Sequence, residues 1–95
     1  MSMKVDGDRL SFEGALDQAT VPALFEPSLS AVRDGVGAID FSQVTSTDSA
    51  AVAMVLALLR EAEAAGRSLK FHAVPAPMLK LAQLYAVADL LGENA

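Results

Sequence analysis

The densest chemistry in the chain is the stretch Thr45-Ser46-Thr47-Asp48-Ser49, hydroxyls around one carboxylate, which runs straight into ten apolar residues, Ala50 to Leu59. Ser49 beside Asp48 invites a nucleophile reading. A hydrolytic serine needs a histidine base and an acid to orient it. The only histidine, His72, falls beside Lys70 in the pattern of a strand, and no Gly-x-Ser-x-Gly elbow is present. A metal would need clustered histidine, cysteine or carboxylate ligands. There is no cysteine, and the carboxylates are dispersed. The six glycines stand apart, so no glycine-rich loop cradles a phosphate. No catalytic residue, metal site or cofactor is expected.

What remains is a helix start. The first backbone N–H groups of a helix lack partners within it, and a short acceptor side chain there is worth about 1 kcal/mol. Thr47, Asp48 or Ser49 can supply that cap. The same free N–H groups, with the helix dipole, also favour an anion, including a phosphate carried on a serine.

Around this point the chain alternates helix and strand. Asp6-Gly7-Asp8 reads as the turn of a hairpin between residues 3–5 and 9–14. In the second arm Leu10, Phe12 and Gly14 alternate with Arg9, Ser11 and Glu13, as in a half-buried strand. Asp17 to Thr20 open a helix, with Val21, Leu24, Phe25, Leu29 and Val32 at helical spacing up to Gly35. Pro22 suits a first turn, whereas Pro27 removes a donor within the pattern and predicts a kink or a late start. Val36 to Phe41 read as a short buried strand, and the hydroxyl-rich segment after it as a loop. A helix from about Ser49 to Ala65 is closed by Gly66. Leu69, Phe71 and Ala73 alternate with Ser68, Lys70 and His72 as another strand. Pro75 and Pro77 open a helix through Met78, Leu81, Ala82 and Tyr85, and AVADLLGENA adds one apolar turn. The pattern predicts an α/β fold, one sheet with helices and no repeats or linkers.

At ~100° per residue the second helix divides into two faces. Ala51, Val52, Val55, Leu58, Leu59 and Ala62 share one broad face, the expected core. Ser49, Ala53, Ala57, Arg60 and Ala64 share the other, flanked by Leu56 and Met54. A solvent face is usually charged. This one is small and smooth, and an exposed apolar patch tends to mark an interaction site. Alanine is also the best helix former, but three alanines beside Leu56 and Met54 favour docking over filler.

Composition narrows the partners. Ninety-five residues suit one domain, residues 1–95. The absence of cysteine suits a reducing compartment. Net charge is −5 and the seven basic residues are scattered. A nucleic-acid or anionic-membrane surface would want a dense basic footprint, so neither is expected. The N-terminus carries two aspartates and no apolar run, unlike a signal peptide. The ten-residue run falls short of the ~20 residues a spanning helix needs. A cytoplasmic location without membrane insertion is expected.

Three segments in order resemble the STAS domain of anti-sigma factor antagonists. They are Gly14-Ala15-Leu16-Asp17, then Asp40-Phe41-Ser42-Gln43-Val44 leading to Asp48-Ser49-Ala50-Ala51-Val52, and last Leu81-Ala82-Gln83-Leu84-Tyr85. The resemblance spans nearly the whole chain and implies a small mixed sheet with helices packed on it. It also implies that Ser49 is the phosphorylatable or interface hydroxyl. Within the family, Leu16-Asp17-Gln18, the first helix and the LAQLY segment look like the branch that serves a phospholipid ABC transporter. That likeness implies a non-enzymatic subunit, peripheral to the inner membrane through its complex. It would bind the ATPase subunit directly, with permease and substrate-binding subunits in the same assembly. The expected contact residues are Asp48, Ser49, Ala53, Leu56, Ala57 and Arg60. The alternative is an anti-sigma factor antagonist switched by phosphorylation of Ser49. Ala51 and Val52 stand where the family usually carries glycine and leucine, and Ala15 where glutamate is usual. The extra methyl at Ala51 weighs against kinase recognition more than against helix docking.

Overall fold

The structure, a computed structural model, describes residues 2–84. Its elements are β1 (Ser2–Asp6), β2 (Arg9–Leu16), α1 (Val21–Arg33), β3 (Ala38–Thr47), α2 (Ser49–Ala64), β4 (Lys70–His72) and α3 (Ala76–Leu84). The four strands form one mixed sheet in the order β1-β2-β3-β4. β1 and β2 are antiparallel through the Gly7-Asp8 turn, while β2, β3 and β4 run parallel. The α/β expectation holds. Right-handed crossovers from β2 to β3 and from β3 to β4 step in one direction, which puts α1 and α2 on the same face. Strand exposure agrees: Leu10 and Phe12 are buried while Arg9 and Glu13 are exposed. Across the covered face Phe12, Phe41 and Phe71 stack from strand to strand, with ring centroids 6.1 and 6.3 Å apart. Against them pack Leu16, Val32, Val52, Met54, Val55, Leu58, Met78 and Ala82, all nearly or wholly buried.

Both long helices end in the same way. Gly35 takes φ 123° after α1 and Gly66 takes φ 72° after α2. The next N–H, of Val36 or Arg67, reaches back to the carbonyl of Ala31 or Ala62. This double closure satisfies carbonyls that the helix leaves free. The Arg67 guanidinium then donates to the carbonyls of Val32 and Val36, joining the end of α2 to the end of α1. Higher along the pair, Arg33 meets Glu61 at 3.2 Å.

Four expectations are corrected. β3 does not stop at Phe41 but runs to Thr47, so most of the hydroxyl-rich segment is strand. Threonine and valine favour extended backbone, and β2 is long enough to pair as far as Leu16 with Thr47. Of the kink or late start expected at Pro27, the late start does not occur: the helix begins at Val21 and runs through the proline. Pro27 is exposed, so the Ala23 carbonyl that loses its donor can turn to water. Ala73 leaves the strand with φ 58°. Met54 does not flank the smooth face; it is wholly buried. The stretch from Tyr85 onward lies outside the described residues.

Candidate functional site

Parallel strands bring their carboxyl ends to one edge of a sheet, and the loops that leave there are the usual place for function in open α/β folds. Here the β2–α1 loop, Asp17 to Thr20, lies beside the β3–α2 junction at Asp48. Two register shifts between β2 and β3, at Ser11/Glu13 and Gly14/Ala15, each add one residue to β3. Such bulges turn a strand end and re-aim the backbone beyond it.

Asp48 is the cap of α2, with extended backbone (φ −140°, ψ −167°). One carboxylate oxygen accepts from the Ala50 N–H at 2.8 Å, and the other from the Gln18 N–H at 3.0 Å. Its backbone N–H donates to the Leu16 carbonyl at 3.3 Å. Asp48 therefore ties the helix start to the neighbouring loop. That loop is locked in turn. Asp17 accepts from the N–H groups of Ala19 and Thr20, and the Thr20 hydroxyl donates to the Ala15 carbonyl at 2.9 Å. Thr47 is not a cap: its hydroxyl is buried, with no hydrogen-bond partner among the described residues.

Ser49 stands exposed at the first position of α2. The donors expected there to greet an anion are largely taken. Asp48 holds the Ala50 N–H with its side chain and the Ala51 N–H with its carbonyl, the latter at 3.1 Å. The helix dipole remains, and the backbone cradle does not.

The sequence-predicted face is assembled along α2. Ser49, Ala53 and Arg60 are exposed, and Leu56 and Ala57 are half-buried. Arg60 has no ion pair or hydrogen-bond partner among the described residues. Leu59, expected in the core, is half-buried, while Ala51 is wholly buried. The Ala51 methyl therefore packs inside the domain and leaves the outer face unaltered. Among the described residues no cluster of three potential metal ligands occurs, and no helix is long and apolar enough to cross a membrane.

A second polar group lies on the open face of the sheet. Asp40 pairs with Arg9 at 3.3 Å and sits across from His72. The Ser42 N–H, donating to Asp40 at 2.9 Å, holds its carboxyl below the usual range, with partial burial opposing and Arg9 and His72 assisting. Sequence reasoning did not single out this group, because only strand pairing brings positions 9, 40 and 72 together.

The chain matches known proteins over most of its length. It is 34% identical over 92 residues to the intermembrane phospholipid transport system binding protein MlaB of Escherichia coli K12, covering 96% of this chain and 94% of that protein. The Shigella flexneri protein of the same name matches with the same values. Among solved structures, the unphosphorylated anti-sigma factor antagonist SpoIIAA aligns with a TM-score of 0.67 at 22% identity, covering 87% of this chain and 81% of that one. The phosphorylated form of the Bacillus cell fate determinant SpoIIAA gives 0.69 at 21%, covering 95% and 86%. These two establish likeness of fold. The family model for the MlaB STAS domain matches residues 1–92, and the chain belongs to that family.

Proposed function

We propose that the chain is the non-enzymatic STAS subunit of a phospholipid ABC transporter, binding the ATPase subunit and supporting assembly and activity of the complex. The observation that carries this reading is the 34% identity to a phospholipid transport system binding protein across nearly the full length of both chains. The subunit works on the cytoplasmic side, held to the inner membrane by the ATPase, the permease and the substrate-binding subunits. The α2 face of Ser49, Ala53, Leu56, Ala57 and Arg60 is the docking surface. Small side chains permit close approach of a partner helix, and Arg60 offers a charge for an acidic residue. Asp48 acts by fixing where α2 begins.

The test is co-expression with the ATPase and permease of the same host, followed by purification in mild detergent. Ala53→Glu should keep the domain folded, since Ala53 is exposed, and abolish association. Ala57→Arg, at a half-buried position, should do the same. Full association of a folded Ala53→Glu protein would place the contact elsewhere.

A second reading rests on the exposure of Ser49 at a helix start in the fold of SpoIIAA. There Ser49 would carry a phosphate, adding nearly two negative charges that repel an acidic partner. Ser49→Asp would then mimic the off state. Recovery of a soluble anti-sigma factor instead of a P-loop ATPase would favour it. Intact mass without a phosphorylated form in any growth phase would sink it.

A further inference from the structure

At the other end of β2 from Asp48, roughly 25 Å away at the usual strand rise, the hairpin turn and the end of α1 enclose a groove of about 400 Å³. Val5, Ala31 and Val36 form its apolar wall, and Asp8 and Asp34 stand at its rim. Val5 pairs opposite Leu10 and so points to the helix side of the sheet, where Leu10 is wholly buried. Val5 is nevertheless 50% exposed, the one large apolar side chain so exposed among the described residues. Its cover ends because α1 closes at Arg33 and the chain turns off through Gly35, where a side chain would meet open space.

We propose that this groove and the adjoining edge of β1 receive an extended segment of a partner protein. Its apolar side chain would sit on Val5, and its lysine or arginine would reach Asp8 and Asp34. Addition of a strand to a free sheet edge gives affinity through the main chain and specificity through alternate side chains. β1 is an edge strand, and among the described residues nothing pairs with its outer side. The charge requirement comes from the rim. The ion pairs among the described residues are Arg9–Asp40 and Arg33–Glu61, so neither Asp8 nor Asp34 is held in a direct ion pair there, and Arg33, which acts on Asp34 through space, is already engaged by Glu61. One Asp8 oxygen accepts from the Gly37 N–H at 2.9 Å, which leaves the other free. The carbonyl end of α1 adds no net attraction, because Arg67 already donates to the Val32 and Val36 carbonyls there, so the two aspartates alone carry the charge requirement. A second copy is a poor occupant: it carries the same net charge of −5 and would bring a second set of these aspartates to the joint. The site is separate from the α2 face and does not depend on the transporter reading.

The experiment is an amide NMR titration of the full chain with the capped peptide Lys-Lys-Val-Thr-Val-Lys-Lys and with its glutamate counterpart. The lysine peptide should shift residues 2–6 and 31–36 selectively, and the glutamate peptide should not. Val5→Lys should weaken binding at least about tenfold, through lost apolar contact and added repulsion. Asp8→Asn, which keeps the acceptor for Gly37, and Asp34→Asn should each weaken it about three- to fivefold, the scale of a partly exposed charge pair. Both positions are exposed, so folding is retained. Shifts spread evenly over the acidic surface, equal binding of the glutamate peptide, or indifference to Val5→Lys would each overturn the proposal. A dimer seen by sedimentation and lost in Val5→Lys would give the groove to a second copy and overturn it as well.

Discussion

Asp48 and Ser49 are neighbours with different duties, and single substitutions separate them. Asp48 uses both carboxylate oxygens within the domain, on Ala50 and Gln18. Asp48→Ala should therefore lose the cap and the loop tie together, about 2 kcal/mol. Asp48→Asn, which keeps one acceptor oxygen, should lose less than half of that. Ser49 makes no side-chain hydrogen bond among the described residues, so Ser49→Ala should stay within about 0.5 kcal/mol of the parent. Urea midpoints at constant slope test all three, and a large loss at Ser49 would contradict this division. Asp40 gives a pH signature. Its carboxyl is held below the usual range by the Ser42 N–H, with Arg9 and His72 assisting. The native state then binds a proton less readily than the unfolded chain, so the stabilisation is present above about pH 4 and fades as pH falls through the native value. Asp40→Asn should be less stable by up to about 1 kcal/mol at pH 7, with the gap closing in acid. Stability curves of equal separation at pH 7 and pH 3 would refute this. The residue types at the site were legible in the sequence, because a carboxylate before a helical apolar run is a cap. Which oxygen went to which donor was not, since Gln18 lies thirty positions away.

Among the elements, α1 is the one whose local chemistry and tertiary setting disagree. Pro27 lies inside it without breaking it. The proline is exposed, and alanine would restore an N–H for the Ala23 carbonyl. Pro27→Ala should raise stability by about 1–2 kcal/mol after allowing for the freer unfolded chain. A fall in the denaturant midpoint would show that the proline shapes α1 for packing. The next residue, Ser28, is wholly buried and donates to the Leu24 carbonyl at 2.6 Å, which keeps its hydroxyl satisfied inside the helix. On α2, periodicity located both faces but misplaced Met54 and Leu59. Both lie near the boundary of the apolar arc, and the neighbouring elements, not the helix itself, decide which boundary residue is covered. β3 shows the same limit. Its hydroxyl-rich half carries no alternating apolar signal, and it is a strand because β2 pairs with it to the end.

At the scale of the whole molecule, a chain of 95 residues relies on one aliphatic core with three stacked phenylalanines. Leu58 is wholly buried in it. Leu58→Ala should cost about 2–5 kcal/mol, a large share of the ~5–15 kcal/mol typical of a domain. Calorimetry should find a much lower melting temperature, and an unchanged one would mean that the core closes the cavity at no cost. By itself the sequence determined the α/β class, the hairpin, the Gly66 closure of α2 and a short polar cap at its start, the core face of α2 and the membership that Asp48-Ser49 and its neighbours signal. Those features arise from local backbone chemistry and from the period of apolar residues, which each segment carries with it. Only the tertiary structure decided that β3 runs to Thr47, that Asp48 ties two loops, that Asp40 joins Arg9 and His72, and that Val5 is left uncovered where α1 ends. Each of these depends on groups distant in sequence meeting across strands and helix ends, and a local pattern holds no record of that distance.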